Sequence, residues 1–373
     1  MTCADNAEID LFQAYPALLP QIPYLPLAAL PTPLQTVHEF AGQHHIGGLH
    51  IKRDDQSSSL YGGNKTRKLG FLLAAARERG ARTVITFGAA GSNHALATAL
   101  HAHEQGLKAL LVLGPQHNSH HVRLNLRAMR QAGATLQPCH WKETAAVAAK
   151  RFHEIWRQDG APPYGIPPGG SSPVGVLGFV NAAFELGRQV AAGNLPEPDL
   201  LYVASGTMGT CVGLALGLHA LGMKTRVMAV RVTQAPYTSM THANALFDAA
   251  NALLRRADAS FPLCQLDDAR FCIRDEYFGR DYAWFTPEGM AAIDIAQAHL
   301  SMTLEGAYTG KAFAALLGDA ASGMLRNSNV VFWNTYSGGA PHACNVPFDY
   351  CALPEALHTY FVSPTQPLDS NIS

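Results

Sequence analysis

Residues able to hold an anion gather in two places along this chain of 373 residues. Gly88-Ala89-Ala90-Gly91-Ser92-Asn93 follows the apolar run Val84-Ile85-Thr86-Phe87, and Ser205-Gly206-Thr207-Met208-Gly209-Thr210 follows Leu201-Tyr202-Val203-Ala204. A helix-compatible stretch comes after each, so each reads as a strand, a tight loop and a helix N-terminus. Backbone N–H groups converge at the positive end of the helix dipole in such a loop, which suits a phosphate or a carboxylate. Neither loop carries a nucleotide signature. There is no GxGxxG, and Gly62-Gly63-Asn64-Lys65-Thr66 lacks the glycine spacing of a Walker A loop.

The elements that must position these loops alternate strand with helix. Thr83 to Phe87, Lys108 to Leu113, Leu201 to Ala204, Arg226 to Val232 and Val330 to Trp333 read as short strands. Between them, Ser92 to Gly106, Val122 to Ala132 and the stretch up to about Leu221 have helical composition. This alternation predicts parallel sheets covered by helices. A Pro- and Gly-rich stretch, residues 161–170, separates the two series and is expected to be a boundary or an active-site loop. The proline-rich first 35 residues are expected to wrap the surface, and the tail after Pro364 to be mobile. Leu200 to Met223 has no Asp, Glu, Lys or Arg and is long enough to span a bilayer. The polar loop inside it instead predicts a buried strand and helix, with Gly209, Gly213 and Gly217 letting that helix approach a sheet.

Composition narrows the partners. The 27 Lys+Arg against 28 Asp+Glu leave a formal charge of −1, so no net field draws nucleic acid or anionic lipid. With 48% hydrophobic and 15% charged residues the chain must bury large cores, and its length suggests about two domains. Seven scattered cysteines (Cys3, Cys139, Cys211, Cys264, Cys272, Cys344, Cys351) form no Cys-x-x-Cys pair; they predict buried thiols in a reducing compartment and no structural metal. Acidic residues stand where a signal peptide would be basic, so cytoplasmic residence is expected.

Beside the loops stands Tyr61-Gly62-Gly63-Asn64-Lys65-Thr66-Arg67-Lys68-Leu69. Together with Ile51-Lys52-Arg53-Asp54-Asp55, Ser92-Asn93-His94, Gly169-Gly170-Ser171-Ser172, Asp275 to Tyr282 and Tyr308-Thr309-Gly310-Lys311-Ala312, it resembles the pyridoxal-phosphate (PLP) enzymes of the tryptophan-synthase-β fold. The resemblance is to the branch holding D-cysteine desulfhydrase and aminocyclopropane-carboxylate deaminase, and it runs across most of the chain. It implies an α/β fold of two open, mainly parallel sheets flanked by helices, with the cofactor in a cleft between a small domain (68–180) and a large one (1–67 and 181–373). A homodimer is the default that comes with it.

By that resemblance Lys65 binds the cofactor aldehyde and, once free, takes the Cα proton. The resemblance places the phosphate on Ser205, Gly206, Thr207, Met208, Gly209 and Thr210. It puts Ser92 and Asn93 at the substrate carboxylate, Asn93 at the ring hydroxyl, and Tyr282 and Tyr308 at the substrate, where phenols can move protons near a leaving group. His94 and Lys68 are further candidates for the site. In the deaminase branch a glutamate follows the tyrosine and protonates the ring nitrogen; here that position is Thr309, and a hydroxyl of Thr309, Thr335 or Ser337 would face the nitrogen instead. A weaker electron sink suits α,β-elimination from a small, D-configured amino acid. Deamination of aminocyclopropane-carboxylate, racemisation or dehydration on the same scaffold, and a catalytically silent binding protein, are the alternatives. Departures from the pattern fall at Gly91, Met208, Glu305-Gly306 and the segment Trp333 to Gly339.

Overall fold

The computed structural model describes residues 9–235, 237–337 and 348–369. Among the described residues ten strands and twelve α-helices follow one another in the expected alternation. The strands are β1 (Leu34–Thr36), β2 (Gly48–Arg53), β3 (Thr83–Ala89), β4 (Lys108–Gly114), β5 (Thr135–Pro138), β6 (Tyr164–Ile166), β7 (Leu200–Ser205), β8 (Arg226–Arg231), β9 (Phe271–Arg274) and β10 (Asn329–Asn334). The helices are α1 (Asp10–Ala14), α2 (His38–Gln43), α3 (Asn64–Glu78), α4 (Asn93–Glu104), α5 (His120–Gln131), α6 (Thr144–Asp159), α7 (Pro173–Ala191), α8 (Gly209–Ala220), α9 (Met240–Ala257), α10 (Pro287–Leu300), α11 (Thr309–Ala321) and α12 (Thr359–Val362).

Two sheets result. One has six strands in the order β1-β2-β10-β7-β8-β9, the other four in the order β5-β4-β3-β6. Every pairing is parallel except β1 with β2. Both faces of a parallel sheet need cover, and the strands accordingly read as continuous apolar runs. Helices α1, α7, α8 and α9 bury one face of the larger sheet and α2, α10 and α11 the other. The smaller sheet carries α3, α4 and α5 on one face and α6 on the other.

Several expectations are corrected by this packing. Residues 161–170 are not simply a loop, because Tyr164–Ile166 pairs with β3 as the edge of the smaller sheet. The glycines of α8 admit a helix rather than a sheet: a Cβ on Gly213 or Gly217 would lie 2.5 Å from the Cβ of Phe179 or Ala183 on α7. The first segment does not only wrap the surface, since Leu11, Phe12, Leu18 and Ile22 are buried in the main core. The tail is fastened as far as it is described: the Gln366 amide exchanges hydrogen bonds with Phe285 and Ala283, and Asp369 accepts from the His120 N–H at 2.7 Å. Of the described cysteines, all five of them free thiols, only Cys211 is fully buried and Cys351 is exposed; Cys3 and Cys344 lie outside the described residues. Among the described residues no helix is long and apolar enough to cross a membrane.

A buried ionic cluster ties α3, α7 and β2 together. Arg67 on α3 donates to Asp54 (2.8 Å) and to Glu185 on α7 (2.9 Å), and Lys52 on β2 donates to Glu185 (2.5 Å) and the Thr32 carbonyl (2.7 Å). Burial alone would raise the Glu185 carboxyl, but Arg67 and Lys52 outweigh it and hold its pKa down to about 2. Removing one member of such a cluster strands the others in a dry interior. Glu185→Gln is expected to cost about 3 kcal/mol in urea unfolding at neutral pH. Because the folded-state pKa is depressed, the Glu185 contribution is full above the ordinary carboxyl range and is lost as pH falls toward 2. The gap between wild type and variant should therefore narrow on acidification, and a pH-independent gap would rule this origin out.

Candidate active site

A cavity of about 670 Å3 opens where β3, β7 and β10 end, lined from Phe87, Gly88, Ala204, Ser205 and Thr335 outward. Carboxyl ends of parallel strands are where α/β sheets place ligands, since the loops leaving them carry helix N-termini.

Lys65 is delivered to this cavity by a glycine turn. Gly63 has φ +83°, and a Cβ on it would stand 2.7 Å from the Thr335 carbonyl oxygen. Only glycine passes there, and α3 begins at the next residue, so Lys65 sits in its first turn. Lys65 Nζ donates to Asn64 Oδ1 at 2.9 Å and lies 5.9 Å from the centre of the Tyr308 ring. Burial pushes its pKa down to about 8, against the opposing pull of Glu305. A free amine is therefore accessible near neutral pH.

The loop from β7 to α8 forms a cup beside it. The N–H groups of Gly206, Thr207 and Met208 have no hydrogen-bond partner among the described residues. Met208 adopts a left-handed φ of +62°, with its side chain buried beneath the loop against the Ser205 hydroxyl. Such a backbone costs a non-glycine residue about 1 kcal/mol, which the packing of the thioether offsets. Thr207 Oγ1 pairs with Ser171 Oγ at 2.7 Å, Gly209 N–H donates to Ser171 Oγ at 3.2 Å, and Thr210 Oγ1 accepts from Asn64 at 2.9 Å. Lys68, one turn on from Lys65, is buried with a single acceptor among the described residues, the Gly169 carbonyl at 3.1 Å. Its pKa is driven well down by burial and then by Lys65. Two buried amines beside unpaired N–H groups fit a phosphate: a dianion would partner the cup and restore the charge of Lys68.

On the facing wall Tyr282 and Tyr308 share a hydrogen bond of 2.8 Å between their hydroxyls. Burial raises Tyr282 to about 12 and pushes Tyr308 well above the ordinary phenol range, so both stay protonated. Ser92 caps α4, its hydroxyl accepting the Ala95 N–H at 3.2 Å, and Asn93 opens that helix at the cavity wall. His94 turns to Thr86 (2.9 Å), and burial holds it neutral, far below its ordinary range. Of the hydroxyls expected near the ring nitrogen, Thr309 accepts the Glu305 N–H (2.9 Å) and Ser337 accepts the Gly62 N–H (3.1 Å). The Thr335 hydroxyl has no partner among the described residues, and Gly338 and Gly339 lie outside them.

The structure adds residues that sequence reasoning passed over. Glu305, noted only as a departure from a pattern, lines the cavity with its carboxylate tied to the N–H groups of Ala307 (2.9 Å) and Thr309 (3.1 Å). Gln116 fills the space beside Gly91, accepting its N–H at 2.8 Å. Ser171 was legible only as part of a Gly-Gly-Ser-Ser run, and Trp141 at the cavity mouth gave no sequence signal at all.

Cleft, buried amine and anion cup are those of an α/β protein fitted to hold a phosphate-bearing ligand beside a lysine. The comparisons with known proteins give the same class. The family profile described as pyridoxal-phosphate dependent enzyme matches residues 25–335. A D-cysteine desulfhydrase of Klebsiella pneumoniae (strain 342) is 32% identical over 87% of this chain and 96% of that protein. A nocardicin C-9' epimerase of Nocardia uniformis subsp. tsuyamanensis is 33% identical over 85% and 93%. The crystal structure of an ACC deaminase homologue superposes with a TM-score of 0.72 at 30% identity, over 87% of this chain and 94% of that one. The chain belongs to the pyridoxal-phosphate-dependent enzyme family, and pyridoxal 5′-phosphate is its cofactor.

Loss of Lys68 should expose its part in the cup. Lys68→Met removes one charge-assisted hydrogen bond of roughly 1.5–3 kcal/mol, so the apoprotein should bind pyridoxal phosphate about ten- to hundredfold more weakly. Fluorescence titration measures this directly, and unchanged affinity would place the phosphate elsewhere.

Proposed function

We propose that this enzyme catalyses α,β-elimination on a small D-amino acid of the D-cysteine type, yielding an oxo acid, ammonia and the leaving group. The observation that carries the reading is the hydroxyl-only wall at Thr309, Thr335 and Ser337. The nearby carboxylate, Glu305, is committed to the N–H groups that open α11. When bound, the cofactor supplies an electron-withdrawing ring that stabilises negative charge at Cα, and a hydroxyl partner tempers that withdrawal. Thr335 is the partner assigned to the ring nitrogen, since it lines the cavity with a hydroxyl that no other described residue engages.

The remaining roles follow from position. The N–H groups and hydroxyls of the Ser205 to Thr210 loop, with Lys68, hold the phosphate. Ser92, Asn93 and His94 receive the substrate carboxylate at the start of α4, and the Asn93 amide also reaches the cofactor's ring oxygen. Lys65, with a pKa near 8, is a base able to accept the Cα proton. The Tyr282–Tyr308 pair, protonated at neutral pH and hydrogen-bonded to each other, can pass a proton to a departing thiolate.

The lobes are assigned as 68–180 and as 1–67 with 181–373; both crossings fall within α3 and α7, which pack together. A homodimer in the cytoplasm accords with the family resemblance and with the free thiols.

Adding D-cysteine to the purified holoenzyme should perturb its visible absorption band and release sulfide and pyruvate. In Lys65→Ala turnover should fall at least a thousandfold, in line with loss of a covalent base. Production of 2-oxobutyrate from aminocyclopropane-carboxylate, or inversion of an amino acid without elimination, would replace this reading with deamination or racemisation. Bound cofactor with no turnover across D- and L-amino acids would mark a silent binding protein.

A further inference from the structure

Asn93 is anchored on one side only, and its anchor is unusual. Its Oδ1 is met by three groups from other segments: His121 Nε2 at 2.7 Å, Asn125 Nδ2 at 3.0 Å and the Tyr61 hydroxyl at 3.3 Å. Its Nδ2 has no partner among the described residues, and the residue lines the cavity.

The direction of the amide can be deduced from a fixed point. Asn125 Nδ2 also lies 2.8 Å from the Gly91 carbonyl oxygen, which can only accept. The Asn125 atom there must therefore be its NH2, so the Asn93 atom beside it must be an acceptor, Oδ1. Asn125 Nδ2 also stands 3.0 Å from His121 Nε2, but its two hydrogens are taken by the Gly91 and Asn93 carbonyl oxygens, and at 2.7 Å from Asn93 Oδ1 the Nε2 of a neutral His121 is the donor, which leaves Nδ1 bare to accept from the Tyr336 hydroxyl at 3.4 Å. Burial holds the His121 pKa down to about 4, in keeping with the neutral ring. His121 and Asn125 stand one turn apart on α5, under the smaller sheet, whereas Tyr336 follows β10 of the larger one. The chain of bonds crosses the cleft.

We propose that His121 and Asn125 are positioning residues that lock the Asn93 amide with its NH2 toward the cavity, where it donates to the cofactor's ring oxygen. This rests on the reading of Asn93 given under Proposed function and deepens it. An amide free to rotate would present its carbonyl to that oxygen half the time, and repulsion would replace a hydrogen bond.

The test is a double-mutant cycle on cofactor binding. Apoproteins of wild type, His121→Phe, Asn93→Ala and the double variant are titrated with pyridoxal phosphate, and the pH midpoint of the visible band of each holoprotein is recorded. His121→Phe should weaken binding about tenfold and shift the midpoint, the double variant should bind no more weakly than Asn93→Ala alone, and His121→Gln, which keeps a donor, should recover most of the loss. Should His121→Phe not fold, Asn125→Leu takes its place in the same cycle. Equal losses from His121→Phe with and without Asn93, or a variant whose affinity and band match wild type, would overturn the proposal. D-cysteine turnover plays no part in the cycle, so failure of the elimination reading leaves its result intact.

Discussion

The buried pairing of Arg67 with Asp54 and Glu185 is the constraint on which the site depends. Arg67 lies two residues after Lys65 on the same helical turn, so whatever fixes the guanidinium fixes where the reactive amine points. The cluster reaches β2 through Lys52 and rests on the ring of Trp333, with Lys52 Nζ 5.9 Å and the guanidinium 6.0 Å from its centre. Strand, helix and core are thus joined beneath one lysine. Ion pairs of this kind seldom add much net stability, because desolvation consumes most of the attraction. Their value here is geometric: partners at fixed distances on three elements leave α3 a single register.

Above that base the site is electrostatically unfinished as a protein. Lys65 and Lys68 stand one turn apart, both destabilised as cations by lost solvation, and Lys68 further by the charge of Lys65. In the loop beside them the N–H groups of Gly206, Thr207 and Met208 have no partner among the described residues. Polar groups left so in a dry cleft cost free energy, and an anion relieves it. Affinity for the phosphate then comes from interactions already paid into the fold, with no rearrangement required.

The reacting side is built on the opposite plan. Its groups are matched before any ligand arrives: Tyr282 with Tyr308, Glu305 with the start of α11, Asn93 with His121 and Asn125. Such pre-formed bonds set the direction of each donor, and direction is what a reaction at Cα needs. The cleft thus combines one wall that is short of a charge with another whose side chains hold one another in place.

The sequence by itself determined the alternation of strands and helices, the two anion loops and the lysine motif, because each is written in local pattern: apolar runs of strand length, glycine where the backbone turns, and a contiguous segment around Lys65. Tertiary structure alone decided what those pieces face. The glycines of α8 could not reveal whether a helix or a sheet would meet them, since either requires the same missing Cβ. The tail beyond Pro364 looked unanchored because its partners, Asn118, His120, Ala283 and Phe285, are distant in the chain. Gln116, His121 and Asn125 gave no signal for the same reason, and Glu305 showed only as a departure from a motif. A side chain's role in a cleft between two sheets is set by residues from both, and the spacing along one chain carries no record of that meeting.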